Sequence, residues 1–261
     1  DTPAMVAARE RFLAEGHYAP LADRLTRLAA ELLGDPAAGP ATDPAPGPTP
    51  SGSAASRSAA DPDASRAAAR RLIADAGAGT GYLLARVLDG APPDVAGLAL
   101  DISKHAIKRA ARAHPRIGAV VADVWRPIPI QDRRAALVMN AFAPRNGAEF
   151  ARILAPGGTL VVVTPAPGHL GELIGTLGLL TVDQEKDRRL AAALSGHFTQ
   201  INEVAVETTM TLGHDAVEAV VAMGPSAWHT DPAELRARIA KLPERTSVPG
   251  LFRITLWKPA R

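Results

Sequence analysis

Apolar residues recur along this chain with two periods, and the change between them divides it. From Thr2 to Leu33 the spacing is helical. Ala4 to Ala14 is rich in helix formers and closes at Gly16; Leu21, Leu25, Leu28 and Leu32 then share one face after Pro20, a residue suited to a first helical turn. A helical segment over 1–33 is predicted. Gly34 to Ser65 has no such period: seven prolines (36, 40, 44, 46, 48, 50 and 62) stand among Ala, Gly, Ser and Asp with little to bury, so 34–65 is expected to be a disordered loop. After Arg66, short continuous apolar runs alternate with helical stretches. Strands are predicted at 71–75, 95–101, 118–122, 136–140 and 158–164, and helices at 80–89, 104–113, 147–154 and 170–178. Such alternation implies a parallel sheet covered on both faces, so 66–261 reads as one doubly wound α/β domain. Asn202 to Leu212 and Leu251 to Trp257 alternate like half-exposed strands, a terminal antiparallel pair at the sheet edge, with helices near 215–222 and 231–241 between them. Ser103 can cap the helix entering at Lys104. Pro156-Gly157-Gly158 should turn the chain before a strand at Thr159, and Asp231-Pro232-Ala233-Glu234 has a capping acid, a first-turn proline and a capping-box glutamate.

Composition narrows the classes. With 261 residues, 47% of them apolar, the chain can bury a sizeable core. No run of eighteen apolar residues and no charged-then-apolar leader is present, so a cytoplasmic protein is expected. The absence of cysteine excludes disulfides and thiolate zinc sites within this chain. A net charge of +2 does not announce a nucleic-acid partner, and the sequence pI of about 9.2 only permits one. The chain opens on Asp1 instead of methionine, which suggests processing or a missing upstream part.

Chemistry concentrates at Asp75-Ala76-Gly77-Ala78-Gly79-Thr80-Gly81. This turn follows the apolar run Leu72-Ile73-Ala74 and precedes Asp101, which ends a second run, Val95 to Leu100. A strand that must turn abruptly into a helix to approach a ligand needs glycines there, and an acid on the next strand reaches ribose hydroxyls. The Gly-x-Gly-x-Gly spacing with an acid two residues ahead favours S-adenosylmethionine over a dinucleotide, whose pattern is Gly-x-Gly-x-x-Gly. Asp123 ends the third strand, where it would sit beside the adenine amino group. Asn140 ends the fourth, facing the reacting methyl. The candidate cofactor residues are therefore Asp75, Gly77, Gly79, Thr80, Gly81, Asp101, Ile102, Asp123, Val124 and Asn140.

Beyond this site the chain resembles the bacterial 23S rRNA guanine-N1 methyltransferases. The likeness is carried by Met5-Val6-Ala7-Ala8-Arg9, Phe12-Leu13, Gly16-His17-Tyr18-Ala19-Pro20-Leu21, Leu100-Asp101-Ile102-Ser103-Lys104, Ala141-Phe142-Ala143-Pro144, Leu154-Ala155-Pro156-Gly157-Gly158, Thr164-Pro165, His169-Leu170 and Met223-Gly224-Pro225-Ser226-Ala227-Trp228. Val121-Ala122-Asp123-Val124-Trp125 and Asn140 to Asn146 look most like the actinomycete branch associated with tylosin and mycinamicin resistance. The resemblance implies a Rossmann-like class I S-adenosylmethionine-dependent fold: a mostly parallel seven-stranded sheet with an antiparallel edge strand, plus N-terminal helices. It also implies that Tyr18 covers the cofactor and that His169 lies near it, that the substrate is a 23S rRNA hairpin loop, and that the protein forms a homodimer. Family members begin with a four-ligand zinc module that helps recognise RNA. No such module stands in this chain, so RNA selection by this chain alone is in question.

Guanine N1 carries a proton at neutral pH, so methyl transfer to it needs orientation, a dry pocket and a route for that proton. Asn140 is the candidate to hydrogen-bond the guanine edge and Phe142 to stack on the flipped base. For RNA, Arg126, Arg133, Arg134 and Arg145 are expected in loops on the active-site side. Lys104, Lys108 and Arg112 form a helical stripe that can be either a phosphate contact or a solvated face. Two other classes fit the same cofactor turn: a small-molecule methyltransferase of natural-product tailoring, and an RNA-binding adaptor without catalysis.

Overall fold

A computed structural model describes residues 2–34, 71–179, 192–223 and 231–260. The proline-rich stretch, and all of the Met223 to Trp228 motif except its methionine, lie outside the described residues. Helix α1 (Pro3–Ala14) starts where the Thr2 hydroxyl accepts the Met5 amide at 3.2 Å. Helix α2 (Ala19–Leu32) has Pro20 in its first turn and buries Leu21, Leu25 and Leu28. These leucines join the same apolar cluster as Ile73, Leu84 and Leu88, so the N-terminal helices share the core of the sheet instead of building one of their own.

The strands are β1 (Arg71–Ala76), β2 (Val95–Asp101), β3 (Ile117–Val121), β4 (Ala135–Ala141), β5 (Leu154–Pro165), β6 (Phe198–Gly213) and β7 (Arg245–Pro259), in the spatial order β3-β2-β1-β4-β5-β7-β6. The first five run parallel. β7 enters antiparallel between β5 and β6, and the β6–β7 pair forms that edge of the sheet. The described helices that follow α2 are α3 (Tyr82–Gly90), α4 (Lys104–Ala113), α5 (Gly147–Ile153), α6 (Gly171–Leu177), α7 (His214–Ala222) and α8 (Pro232–Ile239). α2 packs on α3 and α1 on α7.

The differences from the sequence reading have local causes. Hydrogen bonding along the hairpin carries β6 and β7 several residues past the alternating apolar pattern. Pro156-Gly157-Gly158 is not a turn ahead of a strand. β5 already starts at Leu154, paired with Ala135, and the three residues form an irregularity inside it, with Gly157 at φ +79. At α8, Asp231 Oδ1 accepts both the Ala233 and Glu234 amides, while the Glu234 carboxylate pairs with Arg238 at 2.6 Å and leaves the capping box half made. Ser103 caps α4 as expected, accepting the Ala106 amide at 3.3 Å.

Strand order reverses between β1 and β4. The connections out of these two strands diverge to opposite sides, leaving a crevice at their carboxyl ends, the place where open α/β sheets take ligands.

Candidate cofactor site

β1 ends in a turn whose glycines Gly77, Gly79 and Gly81 have φ of +85, +55 and +79, a region that side-chain-bearing residues enter only with strain. The amides of Gly77 and Ala78 both donate to the Leu100 carbonyl, at 2.8 and 3.0 Å, and so tie the turn to the end of β2. The Gly79 amide donates to Asp101 Oδ2 at 2.9 Å, and Asp101 Oδ1 accepts the Ser103 amide at 2.8 Å. Three of the turn's amides thus hold the protein's own acceptors, and its glycines serve the ligand by allowing a close approach.

A cavity of about 460 Å³ opens over the turn. One wall is the turn with Asp75. The second is Asp101 and Ile102 beyond β2, then Asp123, Val124 and Trp125 beyond β3. Ala141 to Pro144 beyond β4 form the third, and Arg9, Leu13 and Tyr18 close it from the N-terminal helices. Asp75 is buried, and burial first, then the nearby Asp101 charge, pushes its carboxyl from 3.8 up to about 7. Its Oδ1 has no hydrogen-bond partner among the described residues, which suits it to accept from a donor or cation. Asp123 Oδ1 accepts the Trp125 amide at 3.0 Å.

Of the residues expected at the cofactor, Tyr18, Asp75, Gly77, Gly79, Thr80, Asp101, Ile102, Asp123 and Val124 line the cavity, and so does Phe142. Gly81, Asn140 and His169 do not. A Cβ on Gly81 would stand 2.9 Å from the Ala110 Cα, so this glycine serves the close approach of α3 and α4. Asn140 is 0% exposed, and its Nδ2 donates to the carbonyls of Ala76 and Pro144, each at 2.9 Å. With both amide hydrogens committed it braces the β1 and β4 loops and cannot present them to a guanine edge. His169 stands one layer back: its Nδ1 accepts the Leu251 amide at 3.1 Å, which puts the ring proton on Nε2, 3.4 Å from the Tyr18 hydroxyl. Burial lowers its pKa from 6.5 to about 4, so the ring is neutral and orients Tyr18. Burial likewise raises the Tyr18 phenol well above its ordinary value.

Phe142 is 45% exposed and sits at φ +55, with its ring 6.0 Å from Tyr18 and 5.9 Å from Phe252. The positive φ is held by the Asn140 brace and by the Phe142 amide donating to Val163 at 3.1 Å. The sequence reading missed Arg9, Leu13 and Trp125, which is 64% exposed on the cavity rim. Arg9 stands out as the one cation on the buried side of α1, but nothing along the chain links position 9 to position 79.

The arginines expected at RNA divide three ways. Arg126 is exposed on the rim, 3.8 Å from Asp123. Arg133 and Arg134 precede β4, their amides donating to the carbonyls of Arg152 and Ile153 at 2.9 and 2.8 Å, and they therefore lie at the amino end of the sheet, away from the cavity. The cause is the direction of β4, which is parallel to its neighbours and starts at that end; Arg152 and Glu149 hold the crossing loop through bonds to the backbone of Ile128 and Ile130. Arg145 is 3% exposed and cannot reach a phosphate. Of the stripe, Lys108 and Arg112, joined by His105 and Arg109, line a groove of about 550 Å³ between α1 and α4 that shares Leu13, Thr80 and Tyr82 with the cofactor cavity, while Lys104 does not line it.

The donor set fits S-adenosylmethionine. Asp101 suits ribose hydroxyls, Asp123 the adenine amino group, Ile102 and Val124 the purine faces, and the open Asp75 oxygen the methionine ammonium. A doubly wound sheet with a reversed seventh strand and this cavity over its switch point define a class I S-adenosylmethionine-dependent methyltransferase. Comparison with known proteins makes the class particular. The chain is 46% identical over 256 residues to the 23S rRNA (guanine(748)-N(1))-methyltransferase of Streptomyces fradiae, covering 98% of this chain and 78% of that protein. It is 46% identical over 259 residues, 99% of this chain and 81% of the other, to a Micromonospora griseorubida protein provisionally assigned as a 23S rRNA (guanine-N(1)-)-methyltransferase. The chain belongs to the 23S rRNA (guanine-N1) methyltransferase family. No protein-family model matches it. Among solved structures, a Geobacter sulfurreducens methyltransferase in complex with S-adenosyl-L-homocysteine aligns at a TM-score of 0.46 and 17% identity, over 76% of this chain and 88% of its own, a likeness too slight to add to the reading. Among the described residues, no group of three or more His, Asp or Glu could hold a metal ion, and no helix is long and apolar enough to cross a membrane.

Proposed function

We propose that this chain transfers a methyl group from S-adenosylmethionine to N1 of a guanine in a hairpin loop of 23S rRNA, and that the modification confers macrolide resistance of the tylosin and mycinamicin type. The observation that carries the reading is the 46% identity over nearly the whole chain to the Streptomyces fradiae enzyme, joined to a cavity whose acids suit the cofactor. Bound S-adenosylmethionine supplies a methyl group on a positively charged sulfur. The chain's own residues supply orientation and dryness: Tyr18, Leu13 and Arg9 roof the cavity, and Phe142 presents an exposed ring at its mouth. A guanine flipped from an RNA loop can stack on that ring, at low cost because a loop base is already unstacked. The methyl group would pass from that sulfur to N1, leaving S-adenosylhomocysteine, and the N1 proton would go to solvent water at the cavity mouth.

Asn140 acts here as a positioning residue. Because it braces the carbonyls on both sides of the cavity, Asn140→Ala should weaken cofactor binding as well as methylation, whereas Phe142→Ala should lower methylation and leave cofactor binding near wild type. RNA phosphates are assigned to Arg126 and to the Lys108 and Arg112 side of the α1–α4 groove, next to the cavity. A homodimer and a cytoplasmic location follow from the same reading, on the strength of the family and of a ribosomal substrate. Primer extension on 23S rRNA after incubation with enzyme and S-adenosylmethionine tests it, since a methyl on guanine N1 blocks base pairing and stops reverse transcription. A new stop at a loop guanine is expected; no stop would point to a small-molecule acceptor.

A further inference from the structure

We propose that Arg9 binds the carboxylate of the cofactor's methionine end, which makes helix α1 part of the binding site and not only its cover. The inference rests on the S-adenosylmethionine reading and deepens it. Four observations carry it. Four of the five amides from Gly77 to Gly81 donate within the protein, those of Gly77 and Ala78 to Leu100, Gly79 to Asp101 and Gly81 to Ala78, so apart from Thr80 the turn's donors are committed and few are left to cradle an anion. Among the described residues, the charged ones lining the cavity are Arg9, Asp75, Asp101 and Asp123. A ligand with a sulfonium, an ammonium and a carboxylate brings two positive groups that these acids suit and one negative group whose charged complement is Arg9. The guanidinium is also in the right place: a Cβ on Gly79 would find Arg9 Cδ and Nη1 at 3.6 Å, so the side chain lies over the turn, where the methionine part must pass.

The fourth observation is the state of the arginine. Arg9 is largely buried, which disfavours its charge, and the Asp101 carboxylate is what offsets this. A ligand carboxylate would add a second anion to the same guanidinium, whose planar fork can serve two acceptors at once. Asp101 itself is fixed by the Gly79 and Ser103 amides, so it can share Arg9 without leaving its place.

The alternative role for Arg9 is to orient Asp101, and hence the ribose. Two ligands separate the roles. S-adenosylhomocysteine carries the amino-acid end, whereas 5′-methylthioadenosine keeps the adenosine and the sulfur and lacks it. Titration calorimetry of the full chain with each ligand, on wild type, Arg9→Met and Arg9→Lys, tests the assignment, with circular dichroism showing that each variant is folded. In Arg9→Met, S-adenosylhomocysteine should bind about 30- to 100-fold more weakly, as for loss of a charged hydrogen-bonded pair, while 5′-methylthioadenosine stays within about threefold. Arg9→Lys should fall between, because an ammonium keeps the charge and loses the fork. An equal loss for both ligands, or no loss for either, overturns the proposal. Failure of the wild type to bind S-adenosylhomocysteine would instead overturn the cofactor reading, a distinct result.

Discussion

Gly77→Ala tests whether the two loops that flank the cavity meet as described. Gly77 has φ +85, and a Cβ built there collides with the Cβ of Ala143 on the loop beyond β4. Two penalties add. Forcing alanine into the left-handed region costs about 1–2 kcal/mol, and overpacking a fixed contact costs about 1–3 kcal/mol. The sum, about 2–5 kcal/mol, is a large part of a domain stability of about 5–15 kcal/mol. The companion change Ala143→Gly deletes the atom that is struck. It should cost about 0.5–1 kcal/mol alone through backbone entropy, and in the double variant it should return the overpacking share but not the dihedral share. Urea unfolding of the four proteins, with S-adenosylhomocysteine affinity measured alongside, reads the coupling. A favourable interaction energy of about 1–3 kcal/mol is expected, with affinity recovering in the double variant. Additivity within about 0.5 kcal/mol would refute the contact, because changes at separated sites simply add.

Three further outcomes follow from the site. The Asp75 carboxyl is raised from 3.8 to about 7, so its contribution to stability is complete below 3.8 and is lost as pH rises through 7, and the folded protein holds the proton up to about that pH; an arriving ammonium should then release most of a proton at pH 6.5. Binding enthalpies of S-adenosylhomocysteine in buffers of different ionisation enthalpy should differ accordingly, and in Asp75→Asn they should agree; equal enthalpies in the wild type would contradict this account. His169 is depressed from 6.5 to about 4 by burial, so its contribution to stability is complete above 6.5 and is lost as pH falls towards 4, by up to about 3 kcal/mol. The melting temperature of His169→Asn should therefore fall less steeply over that range than that of the wild type, and parallel profiles would remove His169 as a cause of acid lability. Lys108→Glu with Arg112→Glu should flatten the salt dependence of RNA binding by about two in log–log slope, whereas Arg133→Ala with Arg134→Ala should leave it unchanged; the reverse result would move RNA to the other end of the sheet.

Much of this was legible along the chain because it depends on local rules. The strands at 71–76, 95–101 and 135–141 are continuous apolar runs, and α4 lies between Ser103 and Ala113 because a cap and a helical period mark it. Asp75, Asp101 and Asp123 could be placed from sequence because each ends or follows a parallel strand, and strand ends in such a sheet converge on one crevice. Two errors have different causes: Arg133 and Arg134 directly precede a parallel strand and so lie at the amino end of the sheet, whereas Arg145 follows β4 on the cavity side but is buried, which only the packing around it decides.

The sequence by itself determined the class of fold, the glycine turn and the acids around it, since period and spacing are properties of neighbours in the chain. Tertiary structure decided what those groups do. It turned the glycine amides inward to Leu100 and Asp101, committed Asn140 to two carbonyls, set His169 behind Tyr18, and brought Arg9 over Gly79 from seventy residues away. Hydrogen bonds are finite in number and charges in a buried cavity must be balanced, so which donors remain for a ligand is known only when every partner has been placed.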